Sequence, residues 1–181
     1  MKKTEIRKKI KDKLKRQKKE EKFKKDEIIK EKLLSLSRFK EAKTVAFYVS
    51  VKGEVNTEAL IDEALAMGKR VVVPIIVRDD LELREIKSRK AELAKGPYGI
   101  PQPAGKSVSP FPRDKVDVII VPGIAFTRGG LRLGRGKGFY DKFLKTLPRR
   151  VKKIGLAYDL QIIEHLPTIP NDFPVDMVIT N

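Results

Sequence analysis

The chain has 181 residues, of which 40% are hydrophobic and 36% are charged, and it contains no cysteine. This length suits one domain with its own core, and the lack of cysteine excludes disulfide bonds and thiolate metal sites. The formal net charge is +17. The sequence contains no run of eighteen apolar residues, so no membrane-spanning helix is predicted. We therefore expect one domain over residues 1–181, in the cytoplasm and away from membranes.

The positive charge is concentrated at the N-terminus. Residues 1–43 hold 19 Lys and Arg against 8 Asp and Glu. Ile6, Ile10 and Leu14 are four residues apart, which predicts a basic helix with one narrow apolar stripe. Two interpretations remain: the charges form a solvated helix face, which we favour, or they bind a polyanion such as nucleic acid.

The next segments alternate between strand and helix patterns. Thr44–Ser50 is a short run of β-branched and aromatic residues, typical of a buried strand. Asn56 or Thr57 can cap a helix that continues through Met67. Arg70–Val77 predicts a second strand, and the alternation in Leu81–Ile86 predicts a half-exposed one.

A long loop and a strongly apolar segment follow. Gly96–Pro112 is rich in proline and glycine, and a loop of this length is more often functional than a simple connection. Asp117–Phe126 is the most apolar segment and predicts one continuous strand. A helix over Phe139–Leu147 and two late strands, Lys153–Tyr158 and Val175–Thr180, complete the pattern.

Strands that alternate with helices indicate an α/β fold. We predict a mainly parallel, open sheet with helices on both faces, a three-layer, Rossmann-like arrangement preceded by the basic N-terminal helix. Ligands of such sheets bind at the carboxyl ends of the strands. The glycine-rich stretch after the apolar strand is predicted to lie at that edge.

The glycine-rich stretch is RLGRGKGFYD, Arg132–Asp141. It is not a P-loop, because Lys137 is followed by Gly138 instead of Ser or Thr, and its spacing does not match a dinucleotide-binding fingerprint. Alternating glycines and cations can expose backbone N–H groups to phosphate, but a flexible turn with solvated cations fits the spacing equally well. Asp141 could pair with the cations or bind Mg²⁺ together with a second carboxylate such as Asp172.

Several segments resemble the 5-formyltetrahydrofolate cyclo-ligase family. The most specific segment is PGIAFTRGGLRLGRGKGFYD, which is Pro122–Asp141. Shorter segments occur in the same order as in the family; they are Lys3–Arg7, Phe47–Ile61, Gly99–Pro103, Gln161, Leu166–Pro167 and Asn171–Asp172. Two positions depart from the family pattern. Thr127 replaces a usual Asp, which we expect to remove a loop hydrogen bond, and Phe139 replaces a tyrosine, so Phe139 receives no polar role.

The resemblance implies an ATP- and Mg²⁺-dependent ligase that converts 5-formyltetrahydrofolate to 5,10-methenyltetrahydrofolate, ADP and phosphate through a phosphorylated imidate. It implies ATP contacts from Lys3, Arg7, Arg132, Leu133, Gly134, Arg135, Gly136, Lys137, Gly138, Phe139 and Tyr140. Among these, Arg135 and Lys137 would be catalytic. Folate would contact Val49, Glu54 and Tyr98, and Mg²⁺ would bind Asp141 and Asp172.

Local patterns also allow plainer roles for some of these residues. Without the resemblance, Val49 is a core residue of a strand and Glu54 an acid at a helix start. His165 lies in a turn-like segment and is predicted to be non-catalytic. We expect small-molecule substrates, a monomer and no nucleic-acid partner; the alternative is a basic nucleic-acid-binding domain without catalysis.

Overall fold

The computed structural model describes residues 1–96, 99–103 and 109–181. Its strands are β1 (Thr44–Ala46), β2 (Arg70–Val77), β3 (Asp80–Ile86), β4 (Leu93–Lys95), β5 (Pro101–Pro103), β6 (Val118–Val121), β7 (Ala125–Phe126), β8 (Arg132–Leu133), β9 (Lys152–Ala157) and β10 (Met177–Thr180). The α-helices are α1 (Lys3–Arg16), α2 (Lys19–Ser35), α3 (Ser37–Glu41), α4 (Glu58–Ala66), α5 (Arg89–Glu92) and α6 (Phe139–Lys145).

Six strands form one open sheet in the order β10-β9-β6-β1-β2-β3. The first five run parallel to one another, and β3 closes the edge as the antiparallel arm of a hairpin with β2. Pro74 is accommodated within β2 because β1 pairs only with residues 70–72 of that strand. The predicted α/β fold with a mainly parallel sheet is confirmed.

Helices cover both faces of the sheet. On one face Ile29 and Leu33 of α2, Phe39 of α3 and two residues of α4 are fully buried with the strand residues Val45 and Val71; the residues from α4 are Leu60 and Ile61. On the other face, Phe143 and Leu144 of α6 pack with Ile119 and Val121 of β6. The three-layer arrangement follows from these two separate apolar cores.

The N-terminal segment is not one helix. Gln17 and Lys18 are extended, with ψ angles of 131° and 148°, and they separate α1 from α2. The apolar residues explain the break, since Ile6 and Ile10 of α1 pack beside β7 and β8 whereas α2 packs on the main sheet. The charged faces of both helices are largely exposed, but the segment also contributes to the core.

The prediction of a continuous strand over Asp117–Phe126 was wrong. β6 ends at Val121, and Ala125–Phe126 turns away to pair with β8. Pro122 lacks a backbone donor, and a Cβ at Gly123 would lie 2.4 Å from the ring of Phe126. The proline and the tight packing at this glycine therefore mark the point where the chain leaves the sheet.

Other predicted elements were close to those observed. The predicted strand Thr44–Ser50 pairs as a strand only over Thr44–Ala46, and Phe47 continues it by donating to the Val72 carbonyl at 2.9 Å. Thr57 occupies the N-cap position of α4, but its hydroxyl makes no capping hydrogen bond, and Asn56 Oδ1 instead accepts from the Glu58 N–H. Within the described ranges, none of the helices combines the length and apolar content needed to cross a bilayer.

Candidate active site

A cavity of about 310 Å³ lies at the carboxyl ends of β1, β2 and β6. One side is apolar and includes Val49, Ile76 and Leu81. The opposite side is the glycine loop, which we define as residues 134–138, between β8 and α6. The predicted location, the carboxyl edge of a parallel sheet, is where the structure has its cavity.

Two glycines and one arginine shape the glycine loop. Gly136 and Gly138 have φ angles of 112° and 73°, a region that side chains with a Cβ rarely adopt. Arg7 of α1 donates from Nε to the Gly134 carbonyl at 2.9 Å. A Cβ on Gly136 would lie 3.6 Å from Cζ of Arg7. The glycines therefore leave the backbone of the loop without side chains that would cover it, and Arg7 of α1 holds the loop through a hydrogen bond.

Arg135 connects the glycine loop to the other wall of the cavity. Its Nη2 and Nε lie 2.6 Å and 3.1 Å from Oε1 of Glu54. The Glu54 side chain is 13% exposed and that of Arg135 is 48% exposed. Oε2 of Glu54 accepts from the Val51 N–H at 3.0 Å. Two residues predicted for different substrates are thus in direct contact.

Arg132 is buried and paired with Asp141. Its side chain is 2% exposed, and Nη2 donates to Oδ1 of Asp141 at 2.6 Å while Nη1 donates to the Pro122 carbonyl. Its guanidinium also lies 5.8 Å from the ring centroid of Tyr140. Nε is buried without a hydrogen-bond partner among the residues that the structure describes. Arg132 also lines the cavity, but its side chain is far less exposed than that of Arg135.

Leu133 differs from its neighbours in the predicted ATP site. Its side chain is buried with Ile6 and Ile10 of α1, away from the glycine loop. The Leu133 carbonyl accepts from the Ile124 N–H at 2.7 Å. The residue therefore connects α1 to the β7–β8 hairpin through its side chain.

Lys3 reaches the C-terminal part of the chain. Nζ lies 2.7 Å from Oδ1 of Asp172, whose Oδ2 accepts from the Ile169 N–H at 2.8 Å. Burial alone would raise the pKa of Asp172, but the hydrogen bond and charge of Lys3 outweigh it, so the pKa lies below the usual value of 3.8. The carboxylate is therefore ionised and held against α1.

The segments that carry the two predicted metal ligands contact each other. The N–H of Phe173, the residue after Asp172, donates to Oδ1 of Asp141 at 3.2 Å. In the described part of the chain, no group of three or more His, Cys, Asp or Glu is arranged to hold a metal. Two carboxylates nevertheless fit Mg²⁺, which takes its remaining ligands from phosphate and water.

Comparison with known proteins identifies the family of the chain. The sequence model of the 5-formyltetrahydrofolate cyclo-ligase family matches residues 1–181. The chain belongs to this family. It is thus an enzyme of the ligase class, as the resemblance in Pro122–Asp141 indicated.

Individual members of the cyclo-ligase family are similar over most of their length. The probable 5-formyltetrahydrofolate cyclo-ligase of Caenorhabditis elegans is 36% identical, with 98% of this chain and 91% of that protein aligned. The 5-formyltetrahydrofolate cyclo-ligase of Escherichia coli K12 is 34% identical over 77% of this chain and 78% of its own. The NMR structure of 5,10-methenyltetrahydrofolate synthetase from Aquifex aeolicus has a TM-score of 0.87 and 37% identity, covering 99% of this chain and 89% of that one.

Sequence reasoning missed part of this cyclo-ligase cavity. Pro74 and Ile76 of β2 and Leu81 of β3 line its apolar side, and they had been assigned only to strands. The one available signal was Pro74, an unusual residue inside a strand. Of the predicted central loop, Ile100 and Gln102 line the cavity. Tyr98 lies outside the described residues.

Two tyrosines, the buried Tyr48 and the half-buried Tyr140, also border the cavity. Burial, and after it the charge of Glu54, raises the pKa of the Tyr48 hydroxyl well above its usual value of 10.0. The same two causes raise the pKa of Tyr140, although the Arg132 guanidinium opposes them. Both hydroxyls therefore stay protonated and can donate hydrogen bonds.

Two smaller expectations have different outcomes. Thr127 was expected to lose a loop hydrogen bond, but its Oγ1 accepts from the Leu131 N–H at 3.1 Å, so that expectation was wrong. His165 lines a separate groove with Ile10 and Lys13. The prediction that it is non-catalytic remains a prediction.

Proposed function

We propose that this cyclo-ligase converts 5-formyltetrahydrofolate and ATP to 5,10-methenyltetrahydrofolate, ADP and phosphate with the help of Mg²⁺. The observation that carries the proposal is the Arg135–Glu54 contact across one cavity. It joins a cationic glycine loop, suited to a triphosphate, to an apolar wall with a carboxylate, suited to a flat ring with N–H donors.

ATP binding falls to the glycine loop and α1. Backbone N–H groups of residues 134–138 would face the phosphates, with Arg135 and Lys137 neutralising the charge that develops on transfer. Arg7 extends from α1 to this loop and contacts the Gly134 carbonyl, while Lys3, which contacts Asp172, would reach the phosphates beside that carboxylate. Phe139 and Tyr140 line the cavity beside the loop and would contact the nucleotide through their rings.

Arg132 and Leu133 are assigned indirect parts in ATP binding. Arg132 would orient Asp141 through their 2.6 Å ion pair, and Leu133 would hold the loop's first residue in place through its packing on α1. Asp141 and Asp172 would hold Mg²⁺, which offsets charge on phosphate oxygens when bound. To hold the metal, each carboxylate would give up part of its contact with Arg132 or Lys3.

Folate recognition falls to the apolar wall. Val49 and Ile76 offer surface to a ring system, and the Glu54 carboxylate is the natural acceptor for its N–H donors. Because Oε1 of Glu54 also accepts from Arg135, the two uses compete. We infer that Arg135 moves to the phosphates when ATP binds, which frees Oε1 for folate.

The chemistry needs positioning more than covalent help from the protein. The formyl oxygen forms a bond to the γ-phosphorus while the bond from phosphorus to ADP breaks. The N-10 nitrogen then bonds to the formyl carbon, and the oxygen leaves with phosphate as N-10 loses its proton. Arg135 and Lys137 stabilise the transferring group, while the apolar wall limits access of water to the activated formyl carbon.

The test is to mix the purified protein with 5-formyltetrahydrofolate, ATP and Mg²⁺ and to follow the near-ultraviolet absorbance of the methenyl product. We expect growth of the absorbance that needs all three components, with one ADP formed per product. ATP hydrolysis without the methenyl product would overturn the folate assignment. Product formed without ATP or without Mg²⁺ would overturn the proposed phosphoryl transfer.

A further inference from the structure

Behind Glu54, away from the cavity, lies a partly buried polar cluster that the proposed chemistry does not use. It consists of Lys22 and Asp26 on α2 and Tyr158 directly after β9. The Tyr158 side chain is fully buried, and its hydroxyl lies 2.6 Å from Oδ1 of Asp26 and 3.1 Å from the backbone carbonyl of Glu54. The hydroxyl therefore contacts the main chain of the residue whose carboxylate faces the cavity.

Asp26 contacts the same loop directly. Its Oδ1 accepts from the Asn56 N–H at 3.0 Å, while its Oδ2 accepts from Nζ of Lys22 at 2.8 Å. Nζ of Lys22 also lies 5.5 Å from the ring centroid of Tyr158. The carboxylate is thus neutralised, shielded and bonded to two segments of the chain, which fixes its own position.

We propose that Asp26 and Tyr158 are positioning residues that set the orientation of the Glu54 carboxylate toward folate and Arg135. The proposal rests on the proposed function, because it assigns to Glu54 the contact with folate. Neither side chain is among the described residues that line the cavity, so both act through the backbone at residues 54–56. A carboxylate must be held within a fraction of an ångström to bind a ring selectively.

Two variants remove the support without changing the cavity. Tyr158→Phe keeps the buried ring and loses the hydroxyl, and Asp26→Ala removes the acceptor of both the hydroxyl and the Asn56 N–H. For each we expect the KM for 5-formyltetrahydrofolate to rise about tenfold, the size of one lost buried hydrogen bond. The KM for ATP and kcat should change less than about twofold, because the glycine loop keeps its contacts with α1.

The chain offers a conservative variant and a matched control. Asp26→Asn keeps an acceptor oxygen, so it should recover most of the folate affinity that Asp26→Ala loses. Lys25 and Asp159 are the direct neighbours of Asp26 and Tyr158, and they pair across the same two elements at 2.8 Å without touching the Glu54 loop. Asp159→Asn should therefore leave both KM values unchanged.

A double variant separates positioning from general loss of stability. On a Glu54→Gln background, Tyr158→Phe should add no further increase in the KM for folate if the hydroxyl acts through Glu54. Additive effects, or a fall in kcat with an unchanged KM for folate, would overturn the proposal.

If Tyr158→Phe does not fold, the comparison of Asp26→Ala with Asp26→Asn decides. A wild-type enzyme that forms no methenyl product would instead refute the proposed function.

Discussion

Arg135 has two partners in the proposed reaction, Glu54 and the phosphates of ATP, and it cannot bind both in one geometry. In the structure its guanidinium is bound to Glu54, and the exposed part of its side chain faces solvent at the mouth of the cavity. The family resemblance assigned Arg135 to ATP and Glu54 to folate. Their contact could not be predicted, since the residues are 81 positions apart in the chain.

Replacing Arg135 tests its catalytic part. Arg135→Ala should lower kcat about 10²–10³-fold, since a preorganised donor to a developing charge contributes on that scale. The assay is the absorbance of the methenyl product at saturating ATP and folate. Arg149→Ala is the matched control, because Arg149 is exposed and precedes β9, at the opposite edge of the parallel strands. Wild-type turnover by Arg135→Ala would remove this residue from the catalytic set.

Gly136 tests the importance of the loop's backbone. Its φ of 112° is unfavourable for any residue with a Cβ and costs about 1–3 kcal/mol when forced. Gly136→Ala should therefore raise the KM for ATP about tenfold or more while the KM for folate changes little. Gly129→Ala provides the control, since its Cβ would find only Thr127 Oγ1, at 3.9 Å. An equal KM for ATP in Gly136→Ala and Gly129→Ala would contradict the proposal that backbone N–H groups of the glycine loop bind the phosphates.

At the scale of elements, α1 joins parts of the site that are far apart in sequence. Lys3 and Arg7 are four residues apart in α1, which places them on one helix face, but the spacing does not show what each side chain reaches. Lys3 binds Asp172 and Arg7 binds the Gly134 carbonyl. The helix thus braces the glycine loop and the segment before β10 at the same time.

The Lys3–Asp172 pair predicts a specific acid dependence of stability. Because the folded pKa of Asp172 is below 3.8, the pair contributes stability above that pH and loses it as pH falls through the folded value. Wild-type protein should therefore lose more free energy of unfolding than Asp172→Asn between about pH 5 and pH 2. Urea titrations at each pH measure this difference.

The partner of that carboxylate provides a check. Lys3→Met removes the charge that lowers the pKa of Asp172, so its acid-induced loss should also be smaller than that of wild type. Identical acid slopes in all three proteins would show that the pair adds nothing to the stability of the fold.

The elements themselves differ in how far the sequence predicts them. β2 was predicted with the observed bounds because its apolar run ends at a hairpin turn that local residues define. The break after Val121 was missed because the same apolar pattern continues into β7, which pairs with β8 outside the main sheet. The apolar pattern of a sequence indicates which residues are buried, and β6 and β7 are both buried. Only their pairing with different strands, which are distant in sequence, distinguishes them.

At the scale of the whole molecule, charge surrounds a site for polyanions. The net charge of +17 is concentrated in the N-terminal helices, and α1 contacts the glycine loop. Substrates with several negative charges are attracted by such a field. The basic composition, which also suggested nucleic acid, is thereby accounted for by the proposed substrates.

This field predicts a dependence on salt. The kcat/KM for ATP should fall several-fold as KCl rises from about 20 mM to about 200 mM, because screening shortens the range of attraction. Reversing the charge of three exposed lysines of α1, Lys8, Lys11 and Lys15, should weaken the dependence while kcat is retained. If salt changes only kcat, and changes it equally in wild type and in the charge-reversed variant, the positive charge of α1 is not the cause of the salt dependence.

The overall architecture was the most predictable level, because alternating strands and helices leave few arrangements for a chain of this length. The cavity was less predictable. Its apolar wall comes from strand residues such as Ile76 and Leu81 that also read as ordinary core. Only the sheet order, with β1 between β2 and β6, brings them opposite the glycine loop.

The contact between Lys3 and Asp172 spans 169 positions, and it has a consequence for the order of events during synthesis. A growing chain folds from its N-terminus as it emerges, so α1 is made long before its partner, which follows 169 positions later. The nascent protein can form most of the sheet before the proposed Mg²⁺ ligands Asp141 and Asp172 are both present. Nucleotide binding with Mg²⁺ is thus expected only after the segment before β10 has left the ribosome.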